Sequence, residues 1–238
     1  MKKLLLMSFV LTCLFSSCQS SNVDWKEKFA QAQEETNAWW ANAFIDPEGT
    51  SDDPHYINAI NLLDDIIENS PEYRNKSLLH KSTLLSYVCK YDEAIEAVKQ
   101  VPDTFFVYMP GRTKSIWIND ILRQKAQHQG DETSGLAYKK KIMDEMEEHL
   151  EQRRDSLYAS ICSEEGVSFY PIKDINVSLL VFYLLEVEEY GDELVNATIQ
   201  RLEDENPCPN QHSEAFFVNL RKLFKVYLSN SISSLSII

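Results

Sequence analysis

The chain is 238 residues long and holds only six glycines and eight prolines. A sandwich or barrel needs many tight turns, and so more of both, whereas long stretches of Leu, Glu, Lys and Ala favour helices. Basic residues are scarce as well: 23 Lys and Arg against 37 Asp and Glu give a formal net charge of -14. A surface this acidic repels phosphate backbones and anionic headgroups, which argues against nucleic acid as a partner. Its simplest use is to keep the protein soluble. The chain also lacks GxSxG, HExxH, paired CxxC and GxxxxGK[ST] words. His55, His80, His128, His149 and His212 never fall two on one helical face, so they predict no metal cluster. The acid pairs Asp64-Asp65, Glu147-Glu148 and Glu188-Glu189 diverge by about 100° around a helix and do not converge as a glycosidase pair must. We therefore expect neither an enzyme nor a cofactor.

What the chain does carry begins at its N-terminus. Lys2 and Lys3 precede an apolar run from Leu4 to Phe15, followed by Ser16-Ser17-Cys18. This is the charged, apolar and small-residue order of an export signal, and the run is too short to span a bilayer. In these residues the segment resembles the lipobox of bacterial lipoproteins, with Ser16 and Ser17 at the small positions and Phe15 where the family more often has Leu. The resemblance implies a signal peptide over 1–17 and a diacylglycerol thioether on Cys18, which becomes the acylated N-terminus. Several acyl chains, at ~0.8 kcal/mol per buried methylene, hold a protein firmly on a membrane. Gln19 after the cysteine agrees with sorting to the outer membrane. Residues 18–23 read as a flexible tether, and loss of Lys2 and Lys3 would take the net charge from -14 to -16.

A repeat is the second signal. Tyr56-Ile57-Asn58-Ala59-Ile60 recurs as Tyr91-Asp92-Glu93-Ala94-Ile95, a Tyr-x-x-Ala-Ile word with its tyrosines 35 residues apart. A period of this size predicts stacked helical hairpins. In this word the chain resembles tetratricopeptide repeats, where Tyr opens the second helix and Ala lies at a close helix approach. Pro71 and Pro102 would end the two units, and Ser77 to Val88 supplies an amphipathic first helix.

The flanks extend the pattern. Asp24 to Ile45 reads as a helix with Trp25, Phe29, Ala32 and Trp40 near one face. Residues 113–129 form a helix, Gly130-Asp131 turns, and a long helix runs to about Cys162 through Leu136, Ile142, Met146, Leu150 and Leu157. After a break over Gly166 to Asp174, the apolar Leu179 to Leu185 run predicts a buried helix, because a membrane span needs about 20 apolar residues. Gly191-Asp192 turns again, Pro207 stops the next helix, and Gln211 to Leu228 caps the stack. The expected architecture is all-α, stacked antiparallel helical hairpins in a tetratricopeptide-like superhelix of about nine helices. Its length suits one elongated domain or two small ones; we place one at 24–229, followed by a disordered tail at 230–238.

Few residues qualify as sites. Trp39 and Trp40 are adjacent and cannot both face one core, so an exposed tryptophan there would serve as a partner anchor or sugar platform. Gly111-Arg112-Thr113-Lys114-Ser115 is a turn entering a helix rather than a phosphate loop. Asp46, Glu48, Asp52 and Asp53 around Gly49 lack the spacing of a calcium loop. Lys139-Lys140-Lys141 reads as a solvated face, and Glu145 with His149 as a surface contact. Beyond Cys18, the domain keeps Cys89, Cys162 and Cys208, an odd number that allows at most one bridge and does not choose it. Cys89 sits in a helical apolar pattern and is expected to be buried. These features predict a non-catalytic repeat lipoprotein that holds a protein partner in the cell envelope, similar in size and layout to the repeat lipoproteins of outer-membrane assembly. The alternative is a glycan- or small-ligand-binding lipoprotein, similar to the helical starch-binding class of the outer membrane. The oligomeric state is open.

Overall fold

The computed structural model describes residues 23–43, 50–109, 112–163, 174–188 and 190–235. Cys18, the signal segment, the calcium-like loop acids Asp46 and Glu48, and most of the 166–174 break lie outside the described residues. Every regular element among the described residues is helical, so the fold is all-α. The chain divides into two compact units, the first ending at Val88 and the second beginning at Cys89. The division falls between the two helices of the second expected hairpin.

Unit 1 contains α1 (Trp25–Ala43), a short 3-10 turn (Thr50–Asp52), α2 (Pro54–Asn69) and α3 (Arg74–Tyr87). Local chemistry fixes where these begin. The Asp24 carboxylate accepts from the free amides of Lys26 and Glu27 at 3.0 and 3.1 Å. Asp53 does the same for His55 at 2.7 Å, with Pro54 pre-set in the first turn. Helix α2 packs against both α1 and α3. The core gathers Ala32, Trp39, Tyr56, Ala59, Leu63 and Leu84, and each fully buried Leu or Ile stabilises by about 1.5–3 kcal/mol relative to exposure.

Unit 2 contains α4 (Tyr91–Lys99), a 3-10 turn (Asp103–Tyr108), α5 (Lys114–His128), α6 (Glu132–Gln152), α7 (Arg154–Ile161), α8 (Ile175–Glu188), α9 (Asp192–Asp204) and α10 (Gln211–Leu235). Thr113 caps α5 by accepting from the Ile116 amide at 3.0 Å. Gly130, at φ +72°, turns the chain so that Asp131 can cap α6 on the Ser134 amide at 3.0 Å. Asn210 and Ser213 cap α10 reciprocally, each side-chain oxygen accepting from the other's amide at 2.9 and 3.0 Å. The apolar α8 lies at the centre: Val177, Leu180, Tyr183, Leu184 and Val187 join Ile142 and Met146 of α6, Leu157 and Ile161 of α7, and Phe216, Phe217 and Leu220 of α10. No helix among the described residues is long and apolar enough to cross a membrane.

Among the described residues ten α-helices stand where about nine were expected. The long helix predicted to reach Cys162 breaks at Arg153, whose φ of -107° and ψ of 10° leave the helical region. No proline or glycine causes this. The break aims Leu157, Tyr158 and Ile161 into the core, where the Tyr158 hydroxyl donates to the Leu202 carbonyl at 2.9 Å. Cys162 at the end of α7 then forms a disulfide with Cys208, with Cα atoms 6.2 Å apart. The last helix runs to Leu235 rather than about Leu228, so most of the supposed 230–238 tail is helical.

Three burial expectations reverse. Cys89 is exposed and lies between helices at φ +61°, a left-handed conformation that ends the apolar pattern. Lys139 is 4 % exposed, its ammonium 4.7 Å from the Tyr190 ring centre, whereas Leu136 is 60 % exposed. The face of α6 toward α5 uses Gly135 instead, where a Cβ would meet Ala126 Cβ at 4.0 Å.

Candidate functional site

Of the site residues chosen from the sequence, Trp39 and Trp40 lie among the described residues. Trp39 is 1 % exposed and cannot serve as a surface platform. It stands seven residues after Ala32, two turns along the same face, and packs on Tyr56 and Tyr87 with ring centres 5.4 and 6.2 Å away. Trp40, expected on the core face, is half-buried against Tyr87 at 5.0 Å. Its indole N–H is buried with no acceptor among the described residues. Beside them, the Thr36 hydroxyl donates to the Ala32 carbonyl and stands 2.8 Å from His80 Nε2. That hydroxyl has one proton, so Nε2 must be the donor and His80 carries its proton there. Burial holds His80 below the ordinary histidine pKa, whereas the Glu35 carboxylate, 2.6 Å from His55 Nδ1, holds His55 above it.

Unit 2 contains a cavity of about 500 Å³. Its apolar wall comes from Phe106 and Met109 of the 3-10 segment and from Ile175 and Leu179 at the start of α8. The lining also includes Thr113, Lys114 and Ser115 from the start of α5, His149 and Gln152 from the end of α6, and Arg153 from the helix break. The Lys114 ammonium is neutralised by Asp103 at 2.9 Å. Arg153 has no ion pair among the described residues, although Arg123, Arg154, Arg201 and Arg221 each have at least one. In a chain with a net charge of -14, the unpaired Arg153 guanidinium in this lining favours a ligand with an anionic end.

The volume lies within the roughly 300–1,000 Å³ range of small-molecule sites. Thr113 is fully engaged, capping α5 and donating to the Glu145 carboxylate. Glu145 thus pairs with the start of α5, and His149 is among the residues that line the cavity.

No protein-family model, curated protein or solved structure matches this chain. Its function must therefore be argued from its own residues. The sequence reading missed this cavity because its lining comes from four separated segments. The one available signal was Arg112-Thr113-Lys114-Ser115, correctly read as the entry to a helix. No side-chain group among the described residues combines three or more His, Cys, Asp or Glu in a metal-holding arrangement.

Proposed function

We propose that this protein is a lipid-anchored helical-hairpin lipoprotein of the bacterial cell envelope, held in the outer membrane through Cys18, that acts by binding rather than by catalysis. Its primary task on this reading is to hold a protein partner as a scaffold or adaptor. The observation that carries the envelope placement is the Cys162–Cys208 disulfide. Such bonds persist in oxidising compartments, and this one sits in the same chain as an export signal ending at a lipobox-like cysteine. The duplicated Tyr-x-x-Ala-Ile word supports the repeat reading, since both copies bury their Tyr and Ala at the start of a helix.

The test begins with the anchor: Cys18→Ala should move the protein from membranes to the soluble fraction and abolish incorporation of labelled fatty acid. Retention on membranes with no lipid label would defeat the placement. The scaffold role is checked by affinity capture of the full chain from detergent-solubilised envelopes, with one stable stoichiometric partner expected and none counting against it.

A second reading, capture of a small ligand, is favoured by the unit 2 cavity. The Arg153 guanidinium in its lining suits an anionic compound better than a neutral glycan. Calorimetric titration with small carboxylates and sugar phosphates should give binding that Arg153→Ala weakens by about tenfold, the loss of one charge-assisted contact.

A further inference from the structure

Outside the cavity and the tryptophan cluster, a group of side chains among the described residues places a thiol beside an imidazole. The Cys89 sulfur lies 3.7 Å from His128 Nδ1, at the last residue of α5, and accepts a hydrogen bond from the Tyr91 hydroxyl at 3.5 Å. The thiol is exposed, His128 is exposed, and the Tyr91 ring is 9 % exposed, anchoring the group from the core side. Tyr91 and His128 rings are 6.0 Å apart. The Lys125–Asp92 ion pair at 2.7 Å ties α5 to α4 beside them, which fixes register although a surface pair adds little energy. Cys89 itself adopts φ +61°, a left-handed conformation more often taken by glycine after a helix.

From this geometry we propose that Cys89, His128 and Tyr91 form a reactive-thiol centre that exchanges with low-molecular-weight disulfides and carries a mixed disulfide on Cys89. His128 Nδ1 takes the Sγ proton, and its place at the negative end of α5 stabilises the resulting imidazolium. The thiolate attacks one sulfur of R–S–S–R. A bond forms between Cys89 Sγ and that sulfur, the original S–S bond breaks, and the departing RS⁻ takes the proton back from His128. The products are one mixed disulfide and one RSH, with the incoming disulfide as the only oxidant. The Tyr91 hydroxyl steadies the thiolate by donating to it throughout. Burial, together with the bond to the Cys89 sulfur, keeps that phenol protonated well above the ordinary tyrosine range.

The experiment uses the full chain carrying Cys13→Ser and Cys18→Ser, so that Cys89 is the single free thiol, with neutral dithiodipyridine as the probe. The wild-type centre should react faster than N-acetylcysteine under the same conditions. His128→Gln should slow it about tenfold or more, as removal of a general base does. Tyr91→Phe keeps the buried ring and should slow the reaction by a smaller factor. Circular dichroism identifies any variant that fails to fold; for such a variant the wild-type comparison with N-acetylcysteine decides. Mass spectrometry after glutathione disulfide treatment should place one glutathione adduct on Cys89. A folded His128→Gln that reacts within about twofold of wild type, or a wild-type rate equal to that of N-acetylcysteine, overturns the proposal.

Discussion

The two copies of the Tyr-x-x-Ala-Ile word have the same local outcome and different surroundings. In unit 1 the word opens α2: Tyr56 and Ala59 are 5 % and 0 % exposed, and the Tyr56 ring packs on Trp39. In unit 2 it opens α4: Tyr91 and Ala94 are 9 % and 0 % exposed, but the Tyr91 ring lies beside His128 and its hydroxyl donates to Cys89. The word is therefore a packing device. Chemistry enters through the residues beside it, an indole in one unit and an imidazole with a thiol in the other.

The largest expected effect removes the apolar partner of the first copy. Trp39→Ala should cost about 3–5 kcal/mol, the usual penalty for emptying a large buried site. Urea unfolding would read the loss, and hydrogen exchange should place it in α1 to α3; a loss under 1 kcal/mol would mean the indole contributes little to that core. Next, reduction of Cys162–Cys208, or Cys162→Ser, should cost about 2–4 kcal/mol. Here the exchange should quicken in α7 and α10, which the bond constrains.

A pH series tests unit 1, because its two histidines carry opposite signs. His80 binds its proton less readily folded than unfolded, so its contribution is complete above pH 6.5 and falls as pH drops through 6.5 toward the lowered folded value. His55 binds its proton more readily when folded. Its contribution is present below 6.5 and is lost as pH rises through the raised value. Thermal unfolding across about pH 5 to 8 should show stability falling on the acid side, and His80→Gln should flatten that fall. The smallest effect concerns the second copy. Cys89→Gly should raise stability by up to about 1 kcal/mol by relieving the left-handed backbone, while abolishing thiol reactivity. A drop in melting temperature would mean that the sulfur's contacts outweigh the strain.

Helix positions were largely legible in the sequence, because their signals are local. Asp53-Pro54, Gly130-Asp131 and Gly191-Asp192 each place a cap or a turn at a helix start, and Pro71, Pro102 and Pro207 follow helix ends. The break at Arg153 was not legible, since its causes are the distant Leu202 carbonyl and Cys208. The cysteine pairing stayed open for the same reason, its partners being separated by 46 residues. Cys89 was misread because apolar periodicity runs up to it while one positive φ angle ends the helix. Trp39 displaced Trp40 from the core because the Ala32, Thr36 and Trp39 spacing follows the helical repeat more closely.

The bond between Cys162 and Cys208 turns the chain between them into a covalent ring that contains α8 and α9. A protease that cuts once anywhere in that ring opens the loop without freeing a fragment, so the apolar α8 stays tethered to the helices around it. The nicked protein would keep its mass on a non-reducing gel and fall into two pieces only when a thiol is added.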